Sequence, residues 1–236
     1  MSTKTLRTER GKKNNRAPRR APPPRKRVVR KRHRLGAGLI AAVIVAGAIV
    51  VLGVIFFLNN TSNSSGQASQ YPFQVGNPGP GAQAPAITLP STDGSTFDLA
   101  SLRGKTVLLY FQEGVGCEPC WNQLKDMQSQ RGAFQALKID TIVSITSDPM
   151  SALKQKVADE GITFPVLSDP DLAVSQSYTA NGYGMMGASK DGHTFIVVGP
   201  DGLIKWRADY GGAPNYTMYV PVPTLLADIR AGLPGK

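Results

Sequence analysis

The sequence predicts an α/β sandwich with a mixed β-sheet, held outside a membrane by a single N-terminal transmembrane helix. Three features of its 236 residues carry that prediction. An uncharged run of 24 residues separates a strongly basic tail from a polar stretch. Beyond it, short apolar runs alternate with segments of helical periodicity. Near the C-terminus, Gly199-Pro200-Asp201-Gly202 divides two apolar runs as a turn divides the strands of a hairpin.

Charge is distributed unevenly. Residues 1–34 hold 15 of the 27 Lys and Arg and a single acid, Glu9. The other 202 residues hold 12 basic and 15 acidic side chains, so the overall +11 belongs to the tail. The tail is rich in Pro, Asn and Arg and poor in large apolar side chains, and it buries too little surface to offset its ordering entropy. It reads as a disordered cytoplasmic segment. The run Leu35–Leu58 follows, without one charge. As a helix it would be roughly 36 Å long, enough to cross a hydrocarbon core of ~30 Å. Basic residues lead up to it and Asn59-Asn60 follow, so the positive-inside rule places the N-terminus in the cytoplasm and the body outside. A cleaved secretory signal is the rival reading, but its apolar core is typically about 7–15 residues. The basic tail is then a topology determinant and a partner for anionic lipid, not a nucleic-acid arm.

Residues 59–83 are mostly Asn, Ser, Gly, Gln and Pro, the composition of a flexible linker. A single folded domain is expected over 84–233. Thr106–Phe111 reads as a central strand buried on both faces. Cys120, Leu124, Met127, Phe134 and Leu137 fall near helical spacing. Thr141–Thr146 is the next strand. In Ser147-Asp148-Pro149 the acid is expected to cap a helix that Gly161 ends. Thr163–Leu167 is a strand, and Ser168-Asp169-Pro170 repeats the helix-start device. Thr194–Val198 and Leu203–Arg207 form the hairpin, and a last helix covers Val222–Ala231.

Chemistry concentrates in Gly116-Cys117-Glu118-Pro119-Cys120, which contains the only two cysteines. The spacing puts both sulfurs within one turn at a helix start, close enough to join. Partial positive charge at the helix N-terminus favours a thiolate, the species that attacks disulfides. Cys117, nearer the tip, is expected to attack, and Cys120, one turn inward, to resolve the mixed disulfide. Pro119 stiffens the turn. Glu118 opposes the helix dipole and predicts a pair poised nearer the reducing end. A structural disulfide across so short a loop would add little stability, and a zinc site would need two more soft ligands.

Residues 84–207 resemble the redoxin branch of the thioredoxin superfamily, which includes alkyl-hydroperoxide-reductase-like peroxiredoxins and membrane-anchored thiol–disulfide oxidoreductases. The resemblance rests on an ordered series: Ala84-Pro85-Ala86-Ile87-Thr88-Leu89-Pro90, Asp93-Gly94, Leu99 to Gly104, the dithiol, Phe164-Pro165-Val166-Leu167-Ser168-Asp169-Pro170, and Thr194-Phe195-Ile196-Val197 leading into the turn. It implies a thioredoxin-like fold and an oxidoreductase whose redox centre is the Cys117–Cys120 disulfide, with no cofactor or metal. Implied substrates are disulfides in exported proteins or hydroperoxides, and an electron donor must recharge the pair. The peroxiredoxin pattern P-x-x-x-T-x-x-C does not fit. Counted from Cys117, its Thr and Pro places are Gly114 and Tyr110; counted from Cys120, they are Cys117 and Glu113. The superfamily's cis-proline place falls at Gly192.

His193, just before a strand, admits a third reading, in which two thiolates and an imidazole hold Cu(I) as in copper-delivery proteins of similar fold. A surface or loop-stabilising role is the plainer one. Glu113 is a candidate proton acceptor for Cys120, against the plainer reading of a solvated loop carboxylate. Trp121 either packs beneath the dithiol or touches substrate. Met185 and Met186 are soft ligands, a flexible partner surface, or gap fillers.

Overall fold

Five consecutive large apolar side chains suit a strand covered on both faces, and Val107–Phe111 forms that strand, fully buried, at the centre of the sheet. The computed structural model describes residues 70–233, together with Val45 and Gly47, which are helical. The expectations for the tail at 1–34, the transmembrane helix at 35–58 and the linker at 59–69 lie outside the described residues, those two positions apart. Among the described residues, no helix is long and apolar enough to cross a membrane.

In chain order the elements are β1 (Thr88–Pro90), β2 (Thr96–Asp98), a 3-10 turn, β3 (Val107–Phe111), α1 (Glu118–Ser129), α2 (Arg131–Ala136), β4 (Thr141–Thr146), α3 (Met150–Glu160), β5 (Val166–Ser168), α4 (Ala173–Ser177), two 3-10 turns, β6 (Thr194–Val198), β7 (Ile204–Asp209) and α5 (Val222–Gly232). The main sheet has the order β5-β4-β3-β6-β7. β3, β4 and β5 are parallel, while β6 and β7 are antiparallel to their neighbours, so the sheet is mixed as predicted.

Side chains alternate between two apolar layers. Leu108, Tyr110, Phe195 and Trp206 face Trp121, Leu124 and Met127 of α1, Leu153 of α3 and Leu225 and Ile229 of α5. Leu109, Phe111, Val143, Ile145 and Ile196 face Ile87, Leu89, Tyr178 and Ala180. Both layers exclude water, and their burial drives the fold.

Three expectations need correction. The folded unit begins before Ala84. Gln74 pairs with Asp209 (N–O 3.0 and 2.9 Å), Gln83 bridges Leu203, and Tyr71 and Phe73 pack on the core, the latter edge-on to Trp206 and Tyr210. Residues 70–83 are thus docked along β7, because two aromatic anchors and main-chain pairing outweigh their linker-like composition. Secondly, Asp148 does not cap α3: Pro149 occupies the N-cap position with no side-chain bond, and Asp148 turns elsewhere. Thirdly, Thr163–Leu167 is only partly strand; β5 begins at Val166 and ends at Ser168. Asp169 does serve a helix start, accepting from the Ser175 N–H (2.8 Å) and hydroxyl (2.6 Å) of α4. Gly161 ends α3 in the left-handed conformation expected of a C-terminal glycine.

Candidate active site

One edge of the sheet gathers the chemistry. Phe111 at the end of β3 pairs with Ile145 near the end of β4 and with Thr194 at the start of β6, and Thr194 pairs with Asp209 at the end of β7. The loops after β3, β4, β5 and β7 and before β6 therefore meet there, and ligand sites in open α/β sheets form at such strand ends.

α1 starts at Glu118, with Cys117 at its N-cap and Pro119 in its first turn, where a missing N–H costs nothing. Cys120 and Trp121 donate their N–H groups to the Cys117 carbonyl at 3.0 and 3.3 Å. Cys117 and Cys120 form a disulfide with Cα atoms 5.3 Å apart. Cys117 is 6 % exposed and Cys120 is fully buried. An incoming sulfur thus reaches Cys117 first, at the positive end of a 12-residue helix. Met218, from the segment after β7, packs against both cysteines.

The loop before the dithiol is held from a distance. The Val115 N–H donates to Asp148 Oδ2 at 2.5 Å, and the Lys190 ammonium bonds Asp148 Oδ1 at 2.6 Å. Gly114 has φ +93°, and a Cβ there would lie 1.7 Å from Asp148 Oδ2, so only glycine fits under that carboxylate. The Gly114 carbonyl accepts from Cys117 N–H and from the Trp121 indole N–H, both at 3.0 Å. Trp121 is fully buried and packs in the apolar layer between the sheet and α1, with its indole tied to the loop before the dithiol.

Glu113 is not solvated. It is 4 % exposed, and its Oε1 accepts from the Met185 N–H and, at 3.0 Å, from the Met186 N–H. A carboxylate removed from water needs such donors, and here they come from the 184–190 loop. Glu118 is the exposed one. Its carboxylate lies 3.8 Å from Lys125 Nζ and 3.3 Å from Lys156 Nζ, and both lysines also hold Glu160. Much of its charge is offset where it faces the helix tip.

His193 is buried, not at the surface. The Tyr110 hydroxyl sits 2.9 Å from its Nδ1 and 3.5 Å from the Cys120 carbonyl. Its ring stands edge-on to Tyr110 and Phe195. Burial pushes its pKa down to about 3, so the imidazole is neutral at physiological pH. Among the described residues, no three His, Cys, Asp or Glu side chains cluster as a metal site requires. Asp191, two residues earlier, is fully buried. Burial, aided by the Asp169 and Asp148 carboxylates and opposed by the Ser175 hydroxyl and Lys190, raises its pKa to about 8. Gly192 stands between them. A Cβ there would fall 1.8 Å from the Tyr183 carbonyl, which accepts from the His193 N–H at 2.8 Å, so backbone fills the space that a side chain would need.

The structure places Cys117, Cys120, Pro119 and Trp121 at the opening of α1, ties Glu113 to the 184–190 loop, and links His193 to the Cys120 carbonyl by way of Tyr110. Sequence reasoning missed Asp148, Lys190, Asp191, Tyr110 and Met218. Asp148 had a usable signal, since an acid directly after a strand that neighbours the motif strand lands beside the motif. Met218 had none.

A sequence model of the AhpC/TSA family matches residues 80–207. The Mycobacterium tuberculosis protein Rv2521, named as a candidate peroxiredoxin, is 36 % identical over 128 residues, covering 53 % of this chain and 81 % of its own length. The thiol–disulfide oxidoreductase ResA of Bacillus subtilis is 31 % identical over 98 residues, covering 42 % of this chain and 54 % of its own. Among solved structures, the peroxidoxin BcpB of Mycobacterium tuberculosis superposes with a TM-score of 0.54 at 19 % identity, covering 65 % of this chain and 97 % of that one. At that identity the likeness speaks to the fold, and it agrees with the thioredoxin-like architecture.

Proposed function

The chain belongs to the AhpC/TSA family of oxidoreductases, and from that premise we propose that it is a membrane-anchored thiol–disulfide oxidoreductase working outside the cytoplasmic membrane. The dithiol carries this reading: a barely exposed Cys117 at the tip of α1, already joined to a buried Cys120. The anchor and its sidedness rest on the uncharged Leu35–Leu58 run behind a basic tail.

In the reduced protein the Cys117 thiolate attacks one sulfur of a client disulfide. The client S–S bond breaks as the Cys117–client bond forms, and the departing client sulfur takes up a proton. Cys120 then loses its proton and attacks the Cys117 sulfur, closing the ring and releasing the second client thiol. Two electrons pass from the dithiol to the client, and a separate thiol donor must return them. Trp121 and the Asp148–Val115 bond hold the loop in place for both attacks. No cofactor enters any step.

Kinship with proteins named as peroxiredoxins favours a second reading. There Cys117 attacks a hydroperoxide O–O bond, an alcohol or water leaves with a proton, and Cys120 condenses with the resulting sulfenic acid to release water. Gly114 and Tyr110 in place of the Thr and Pro of the peroxidase pattern weigh against it.

Full-length protein, reduced and offered insulin or a hydroperoxide, tests both readings. Insulin reduction that disappears in Cys117→Ser is expected. Faster hydroperoxide consumption, lost in the same variant, would favour the second reading; activity surviving the substitution would overturn both. Labelling of intact cells with an impermeant maleimide tests the sidedness, and a domain reached only after lysis would refute it.

A further inference from the structure

Of the five large apolar side chains exposed among the described residues, three stand on loops tied to the dithiol: Met185 (63 %), Met186 (52 %) and Tyr216 (46 %). The ties are specific. Glu113, four residues before Cys117, holds the Met185 and Met186 N–H groups. Lys190, at the far end of the same loop, bonds the Asp148 carboxylate that also holds the Val115 N–H. Tyr216 lies two residues before Met218, which packs on both cysteines. The two methionines thus stand on a loop pinned at one end to Glu113 and at the other, through Asp148, to the dithiol loop, and among the described residues they are exposed. Exposed, flexible thioethers so placed suit contact with varied apolar side chains.

The geometry points to Met185 and Met186, with Tyr216, as an apolar docking rim that selects disulfides within polypeptides, those flanked by apolar residues, over small hydrophilic ones. The inference rests on the oxidoreductase reading and names its substrate class. With Cys117 only 6 % exposed, a client sulfur must come close against the surrounding loops to reach it, which brings the residues beside that sulfur towards the rim. The lysines nearest the helix tip, Lys125 and Lys156, are engaged by Glu118 and Glu160, so the charged side chains there do not compensate a small anionic disulfide. Because the loop is pinned beforehand, docking need not order it.

The test is the full-length protein against a Met185→Ser/Met186→Ser double variant, a pair of exposed positions whose replacement leaves the core untouched. Both are assayed with insulin and with oxidised glutathione. The expected result is a fall of about tenfold in kcat/KM for insulin, from lost apolar burial, with glutathione reduction unchanged. An unchanged rate with insulin, or an equal fall with both substrates, would overturn the docking rim while leaving the dithiol chemistry intact. A parent protein that reduces glutathione disulfide but not insulin would do the same. A parent protein that reduces neither would instead strike at the oxidoreductase reading itself.

Discussion

The two ends of the central sheet are closed by loops built in opposite ways. At one end, the β6–β7 turn closes on itself: Gly202 N–H reaches the Gly199 carbonyl at 2.9 Å, Leu203 N–H reaches Asp201 Oδ1 at 3.1 Å, and Lys205 pairs with Asp201 at 2.6 Å. At the other end, the loop from Gln112 to Gly116 is held by groups distant in sequence. Val115 depends on Asp148, 33 residues on, and Glu113 binds N–H groups 72 and 73 residues on. A turn closed by its own residues depends less on the rest of the protein, and its distant partners, Ala84 N–H on the Gly202 carbonyl at 3.0 Å and Gly104 N–H on the Pro200 carbonyl at 2.9 Å, add to a shape already set. A loop satisfied from afar reports on the packing of the whole sheet edge, which suits a site that must place two sulfurs and a partner surface together.

That contrast can be broken experimentally. Asp148→Ala should have the largest effect, because it strands the Val115 N–H and the Lys190 ammonium. A loss of about 2–4 kcal/mol in denaturant unfolding, with slower disulfide exchange, is expected. A loss no greater than that from changing the hairpin turn would show that the dithiol loop does not depend on its distant partner.

A pH effect comes next. The raised pKa of Asp191, about 8 against 3.8 for the unmodified group, means that the folded state keeps a proton the unfolded chain has given up. Its contribution to stability is therefore greatest at acid pH and declines as pH rises from roughly 4 to about 8. Asp191→Asn should remove that decline, seen as a flatter unfolding midpoint across the interval; an unaltered slope would count against the buried neutral acid. His193 acts in the opposite sense, since its lowered pKa costs stability as pH falls below about 6.5 towards 3.

Smaller still is the influence of Glu118. Because Lys125 and Lys156 share its charge, Glu118→Gln should move the dithiol potential by less than about 30 mV. A larger shift in a redox titration would mean that the lysines leave the helix tip unshielded. Lys205→Ala is expected to do least, leaving both the unfolding midpoint and activity unchanged, as an exposed ion pair should.

What the sequence determined unaided are the features written in neighbouring residues. The central strand, expected over Thr106–Phe111 and found over Val107–Phe111, the Gly199–Gly202 turn, the helix opening at the dithiol and the alternation of strands and helices after it follow from local apolar runs, turn residues and the Cys-x-x-Cys spacing. The roles of the acids were not legible. Glu113 looked like a loop carboxylate and Asp148 like a helix cap, because a carboxylate's partner is whichever donor the fold brings near, and hydrogen bonds between remote segments leave no periodic trace. His193 looked superficial for the same reason: burial depends on what lies across the sheet, here Tyr110, Phe195 and Tyr210. Local chemistry placed the two sulfurs side by side. Only the folded sheet edge decided which groups surround them, since those groups arrive on four separate connections.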